Sequence, residues 1–180
     1  MEWLIIGFIV LMVISPVVWL KPSPRQQRHT QLRAMARHKG VEVLRQEVPL
    51  HLIKEKMPAY RLRYPGEHPG PDFVLVRDGF ASAALVRYTE GWRFRVAPLR
   101  PLPEAAQRQL QELITLLPDD VLMVQSSEVA LTLWWWESGT AEHFAPCVEA
   151  AALLRDTLSG YADRPGVQPL AVPNVISRPR

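Results

Sequence analysis

The stretch Tyr60-Arg61-Leu62-Arg63-Tyr64 decides the class of fold. Large apolar side chains occupy every second position, and arginines occupy the positions between them. Successive side chains of a β-strand point to opposite faces, so this pattern predicts a strand with one apolar and one charged face. Such a strand belongs in a sheet that is covered on one side and leaves its other face to solvent or a partner.

Comparable short stretches lie on both sides of it, separated by turns such as Asp78-Gly79 and Thr89-Glu90-Gly91. The short connections before Ala97 favour an antiparallel meander. The last two predicted strands, Val121–Val124 and Val129–Trp136, are expected to pair across residues 125–128. The other predicted strands are Val41–Gln46, Phe73–Arg77, Ala83–Tyr88 and Trp92–Val96.

Two segments have helical periodicity instead. Glu104–Leu117 and Thr140–Leu158 each carry an apolar stripe at helical spacing. We therefore predict an α+β domain over residues 41–158, in which two amphipathic helices pack on one face of an antiparallel sheet of five to seven strands. Residues 159–180 contain four prolines and are predicted to form an extended or disordered tail.

The N-terminal stretch Trp3–Leu20 contains no charged residue. As a helix it would be about 27 Å long, close to the thickness of the hydrocarbon core of a bilayer. Trp3 and Trp19 fall near its ends, where indole rings favour the interface. A cleaved signal peptide is the alternative, but Glu2 before the stretch and Lys21-Pro22 after it do not fit that pattern. The sequence predicts a single-pass transmembrane helix that acts as a signal anchor.

The charges around this helix predict its orientation. Cations follow it and only residues 1–2 precede it, so the positive-inside rule places those two residues outside and the domain in the cytoplasm, at the inner membrane. Residues 21–40 are predicted to form a basic juxtamembrane helix, capped by Ser23 and ended by Gly40. Its cations are expected to bind anionic headgroups; they are Lys21, Arg25, Arg28, Arg33, Arg37 and Lys39.

The rest of the chain is not basic. Residues 41–100 carry ten basic and seven acidic side chains, whereas residues 101–163 carry two basic and ten acidic ones, a net charge of −8. This balance excludes a nucleic-acid partner recognised by bulk charge. Cys147 is the one cysteine, so no intrachain disulfide forms, which suits a reducing compartment.

No catalytic, metal-binding or cofactor motif is evident in the sequence. None of the five histidines stands at metal-ligand spacing to another histidine or to the cysteine, and no glycine-rich phosphate loop is present. An enzyme remains the alternative, with His143 as a base one helical turn from Cys147, or with Glu142, beside a cavity. The position of Cys147 on the apolar stripe of the last helix favours a small buried side chain instead.

Two groups of residues are predicted to bind partners. Trp134 and Trp136 share one face of the last strand, and they are either core or an exposed aromatic patch. The second group lies on one face of the sheet if its strands are neighbours, where it would suit a small anionic ligand; it comprises Arg61, Arg63, Arg93 and Arg95. We expect an adaptor or accessory subunit that contacts the bilayer and a membrane or cytoplasmic protein, with an enzyme or a ligand-binding regulatory domain as alternatives.

Overall fold

The computed structural model describes residues 3, 6, 23–50 and 53–163. In this part of the chain, three helices flank one antiparallel sheet of seven strands, which confirms the α+β class. The helices are α1 (Pro24–His38), α2 (Glu104–Leu116) and α3 (Ala141–Leu158). The strands are β1 (Glu42–Glu47), β2 (Lys56–Arg63), β3 (Phe73–Arg77), β4 (Val86–Thr89), β5 (Trp92–Val96), β6 (Val121–Ser126) and β7 (Ala130–Trp135).

The order of the strands differs from a simple meander. The sheet runs β1-β2-β7-β6-β3-β5-β4, so the hairpin of β6 and β7 is inserted between β2 and β3. Every residue of β7 is buried, and so is almost all of β6. Exposure to water costs the most free energy for strands that are apolar on both faces. Such strands therefore occupy the centre of the sheet, where both faces are covered. The predicted pairing of these two strands is confirmed.

The main core lies between the sheet and the helices. The apolar face of β2, predicted from Tyr60, Leu62 and Tyr64, is buried there. Trp135 from β7 stacks on Phe144 of α3 with ring centroids 4.0 Å apart. The predicted stripes of both amphipathic helices face this core.

The opposite face of the sheet is partly covered as well. The segment between β1 and β2 folds across it and buries Val48 and Leu50 against Met57 and Trp134. This second, smaller core could not be predicted from the sequence, because the covering segment has no regular periodicity. It leaves only part of that face open to solvent.

Helix α1 belongs to the same main core as the other two helices. Leu32 and Ala36 are fully buried there, and the amide of Val41 donates to the carbonyl of Ala36 as the chain turns into β1. Ser23 caps the helix as predicted, since its hydroxyl accepts a hydrogen bond from the amide of Gln26. Three helices, rather than the two predicted, therefore pack on this face of the sheet.

Most of the predicted transmembrane helix lies outside the described residues. Of the stretch Trp3–Leu20 the structure describes Trp3 and Ile6. Trp19, and Lys21 just after the stretch, lie outside the described residues. Among the residues that are described, none of the helices combines the length and the apolar character that a membrane span needs. Residues 164–180 of the predicted tail also lie outside. Its first residues are held in place, because the hydroxyl of Tyr161 donates to the carbonyl of Pro101.

Candidate functional site

A buried carboxylate joins α1 to the end of the sheet. Glu137 follows β7, and its side chain is 1% exposed. Arg33 of α1 donates to both carboxylate oxygens, through Nε at 2.8 Å and Nη2 at 2.6 Å. The hydroxyl of Tyr60 donates to Oε1 at 2.7 Å, and His29 Nδ1 lies 3.3 Å from Oε2. We call these four residues the Glu137 clasp.

Local structure explains how these groups converge. His29 and Arg33 are four residues apart and therefore lie on one face of α1. Tyr60 projects from β2, which pairs with β7 directly beside the clasp. Glu137 itself adopts a φ of 61°, a left-handed conformation that few residues other than glycine occupy. This backbone turn ends the strand, and the carboxylate lies beneath α1.

The electrostatics of the clasp favour a fixed ion pair. The hydrogen bond to Glu137 raises the pKa of Arg33, although partial burial of the guanidinium opposes that effect. Burial, followed by the hydrogen bond to Glu137, raises the pKa of Tyr60 well above its ordinary value, so its hydroxyl stays a donor. Both carboxylate oxygens are occupied by donors, an arrangement that holds two elements together rather than one that abstracts a proton.

The two tryptophans of the predicted patch have different surroundings. Trp134 is buried beneath the segment that precedes β2, so it is core, and its indole N–H lacks a hydrogen-bond partner among the described residues. Trp136 is partly exposed and packs on the edge of the same cluster. The structure therefore leaves Trp136, but not Trp134, available for a partner.

The structure does not bring the four arginines of the predicted row together. They share a face, but β7, β6 and β3 separate β2 from β5, a distance of about 19 Å at the usual strand spacing. Arg61 donates to Gln46, and Arg63 pairs with Glu42 at 2.7 Å. Arg93 pairs with Asp78 at 3.0 Å, and Arg95 donates to the carbonyl of Pro49. Each guanidinium therefore has a local partner, and no shared anion site results from these four side chains.

The predicted headgroup-binding cations that the structure describes also separate into two groups. Arg25, Arg28 and Arg37 are exposed, as the prediction of headgroup binding requires. Arg33 is instead held by the clasp, and Lys39 pairs with Glu149 of α3 at 2.5 Å. Two of the predicted lipid contacts are therefore engaged within the domain.

Cys147 and His143 do not form a nucleophile and base. The thiol is buried and donates to the carbonyl of Leu116, and burial raises its pKa to about 11. The ring of His143 is exposed and hydrogen-bonds through Nδ1 to the hydroxyl of Thr140. A thiol with a raised pKa and no adjacent base has little nucleophilic character at neutral pH.

Four open grooves on the described surface are lined by residues other than those of the Glu137 clasp and Cys147. One of about 300 Å³ lies between the β4–β5 turn and α2, beside Arg77 and Glu90. Another of about 220 Å³ runs between α2 and α3, past Leu116 and Leu153. No group of three potential metal ligands occurs within the described ranges.

The Glu137 clasp was not predicted from the sequence. Arg33 and Glu137 are 104 positions apart, and neither belongs to a recognisable motif. The available signals were indirect: an acidic residue directly after three apolar tryptophans, and His29 and Arg33 at helical spacing. Neither signal identifies a partner for the other.

Comparison of the chain with protein-family models, with curated proteins and with solved structures found no match.

Proposed function

We propose that this protein is a single-pass membrane protein whose α+β domain acts in the cytoplasm as an interaction module, an adaptor or accessory subunit of an inner-membrane complex. The anchor is the uncharged stretch Trp3–Leu20, and the cations that follow it orient the domain inwards. The proposal includes no catalytic step.

The observation that carries the proposal is the attachment of α1 to the domain. Only residues 21–23 separate the predicted anchor from α1, and α1 is fixed by its buried Leu32 and Ala36 and by the Glu137 clasp. A domain attached in this way is held close to the bilayer and cannot turn freely about a long linker. Such restriction suits a subunit that presents one surface to a neighbour in the membrane.

Anchoring and orientation are tested together. We expect the full chain to stay in the membrane pellet after alkaline carbonate extraction, and a variant that lacks residues 2–20 to move to the supernatant. A cytoplasmic reporter fused after Arg180 should be active, and a periplasmic one inactive. Extraction of the full chain by carbonate, or the reverse reporter pattern, would contradict the proposal.

The partner surface is tested at Trp136. Aromatic side chains dominate binding energy at protein interfaces, so Trp136→Gln should remove proteins that co-purify with the full chain from solubilised membranes. Leu153→Gln is the matched control, because Leu153 is 60% exposed on α3, which packs on the opposite face of the sheet from Trp136. Trp134 is unsuitable for this test because a polar substitution in the core would unfold the domain. Identical co-purifying proteins for both variants would show that Trp136 is not the contact.

A further inference from the structure

We infer that one corner of the domain, formed by the start of α1 and the connection into β2, lies against the bilayer and takes anionic phospholipid headgroups. We call it the basic corner; its exposed cations are Arg25, Arg28, Lys54 and Lys56. This inference rests on the proposed membrane anchor. It goes further, because it specifies which surface of the domain faces the lipid.

Chain length places the start of α1 near the membrane. Leu20 ends the predicted span and Pro24 begins the helix, so at most about 14 Å of extended chain separates them. Pro22 and Pro24 stiffen this connection. Whichever end of the domain lies beside Pro24 must therefore lie beside the bilayer.

The fold determines which end that is. His29 and Arg33 lie beside Glu137, at the end of β7, whereas Lys39 lies beside Glu149 farther along α3. Helix α1 thus runs away from the end of the sheet that holds Glu137, over about 22 Å. Lys56 opens β2 at that same end, since β2 runs antiparallel to β7 with Ala59 opposite Trp134. The hairpin at Ser127–Val129 lies at the opposite end, far from the bilayer.

The distribution of charge indicates which corner at that end of the sheet faces the bilayer. Strands β1 and β2 form one edge of the sheet, and α1 packs beside them. Glu90, in the β4–β5 turn, lies at the other edge, and Glu142 lies in the first turn of α3. Against four exposed cations the basic corner contains two exposed acidic residues, Glu47 opposite Lys56 and Glu55. Anionic headgroups attract clustered cations near their surface, so the β1–β2 edge should tilt towards the bilayer.

The outward face of α1 argues against the alternative in which the helix lies flat on the membrane. Successive residues of a helix are rotated by about 100°. With Leu32 and Ala36 directed into the core, the opposite side carries one exposed cation, Arg37, beside Gln27, Thr30, Gln31, Ala34 and His38. Contact by the basic corner therefore places more cationic charge at the lipid than contact by the side of α1.

The test uses the full chain in nanodiscs that contain a lipid with a nitroxide on its headgroup. In a Cys147→Ser background, a fluorophore is attached to Glu55→Cys, Glu90→Cys or Val129→Cys, and circular dichroism checks each fold. We expect strong quenching at position 55, weaker quenching at position 90 and almost none at position 129. Equal quenching at all three positions, or the strongest at 129, would overturn the inference.

The lipid source is tested with matched discs and variants. Replacing phosphatidylglycerol by phosphatidylcholine, or introducing Lys54→Gln with Lys56→Gln, should remove most of the difference between positions 55 and 90. The control pair Arg87→Gln and Arg108→Gln neutralises exposed cations elsewhere and should leave it unchanged. A difference that persists without anionic lipid refutes headgroup recognition. Failure of the chain to enter nanodiscs at all would instead refute the proposed anchor, so the two failures are distinguishable.

Discussion

Glu137 combines two features that are unfavourable to the free energy of folding, and a single residue seldom has both. Its carboxylate is removed from water, and its backbone is left-handed at a φ of 61°. Desolvation of such a charge costs several kcal/mol, which a buried ion pair offsets only with good geometry and further hydrogen bonds. Arg33, Tyr60 and His29 supply that geometry here. A hydrophobic replacement could stabilise the domain equally well, so the clasp is best explained by the position it imposes on α1.

Glu137→Gln is expected to lower the free energy of unfolding by about 2–3 kcal/mol, because it leaves the guanidinium of Arg33 beside a neutral amide in a mostly buried site. This decrease is smaller than the usual effect of removing one partner of a buried ion pair, because the side chain of Arg33 is 34% exposed. Urea denaturation of the full chain in detergent, followed by circular dichroism, measures it.

Glu42→Gln is the control for this prediction. It breaks a similar ion pair with Arg63, but that pair is largely exposed and should contribute less than about 1 kcal/mol. Equal effects of the two substitutions would show that burial of Glu137 adds nothing to the stability of the domain.

Among the elements, the loop between β2 and β3 is closed by a close contact. Gly70 lies against the ring of Tyr64, and a Cβ atom there would overlap that ring. Tyr64 cannot move aside easily, because it is buried and its hydroxyl hydrogen-bonds to Ser126 at 2.9 Å. Ser126 in turn donates to the carbonyl of Pro71, which anchors the end of the loop.

Gly70→Ala should therefore destabilise the domain by about 1–3 kcal/mol, the usual cost of overpacking a core site. Gly66→Ala in the same loop is the matched control, because no atom lies within 4 Å of its added methyl group. Thermal denaturation monitored by tryptophan fluorescence compares the two. A melting temperature of Gly70→Ala equal to that of Gly66→Ala would contradict the close contact.

The helices and strands could largely be predicted from local sequence. Which of them lie next to one another in the fold could not. Alternation identified β2 and β5, and helical stripes identified α2 and α3, because these patterns depend on residues close in the chain. The insertion of β6 and β7 beside β2 depends on contacts between residues more than 60 positions apart. The helix α1 was predicted, but its packing on the core, like that of segment 48–50, was not, because each is fixed by distant residues.

The same limit applies to the candidate site. The sequence identified Trp134 and Trp136 as one pair, yet only the fold shows that Val48 and Leu50 cover the first of them. Four alternating arginines suggested one anion site, but strand order separates them. The clasp required a long-range pairing of Arg33 with Glu137, for which a single sequence contains no signal.

At the scale of the whole molecule, the charge distribution follows the architecture. The net-basic residues 41–100 form β1 and β2 at one edge of the sheet and β3, β4 and β5 towards the other, whereas the acidic residues 101–163 include α2 and α3. If the basic corner meets anionic lipid, the acidic helices are left facing the cytoplasm, where the bilayer does not repel them. The proposed orientation and the charge distribution are therefore consistent.

The free energy of unfolding of the whole domain should decrease at alkaline pH, because the domain contains buried tyrosines. Burial raises the pKa of Tyr64 to about 12, and it raises that of Tyr60 further. Tyrosines of the unfolded chain ionise near pH 10, so between pH 10 and 12 the unfolded state releases protons that the folded state keeps. The raised pKa values of Tyr60 and Tyr64 should then lower the free energy of unfolding above pH 10, by up to about 1.4 kcal/mol per pH unit for each of the two residues. The buried thiol of Cys147, whose pKa is also raised, adds a decline that begins near pH 8.5, where unfolded cysteines ionise.

Urea titrations at pH 8, 9, 10 and 11 measure this dependence, and Tyr64→Phe isolates the contribution of one ring. The variant loses the hydrogen bond to Ser126 and should be less stable at every pH, but its stability should decline less steeply above pH 10 than that of the parent. Exposed tyrosines would ionise at the same pH in both states and produce no such decline. An unchanged midpoint between pH 9 and 11 in the parent protein would therefore contradict the burial of Tyr60 and Tyr64 beneath the three helices.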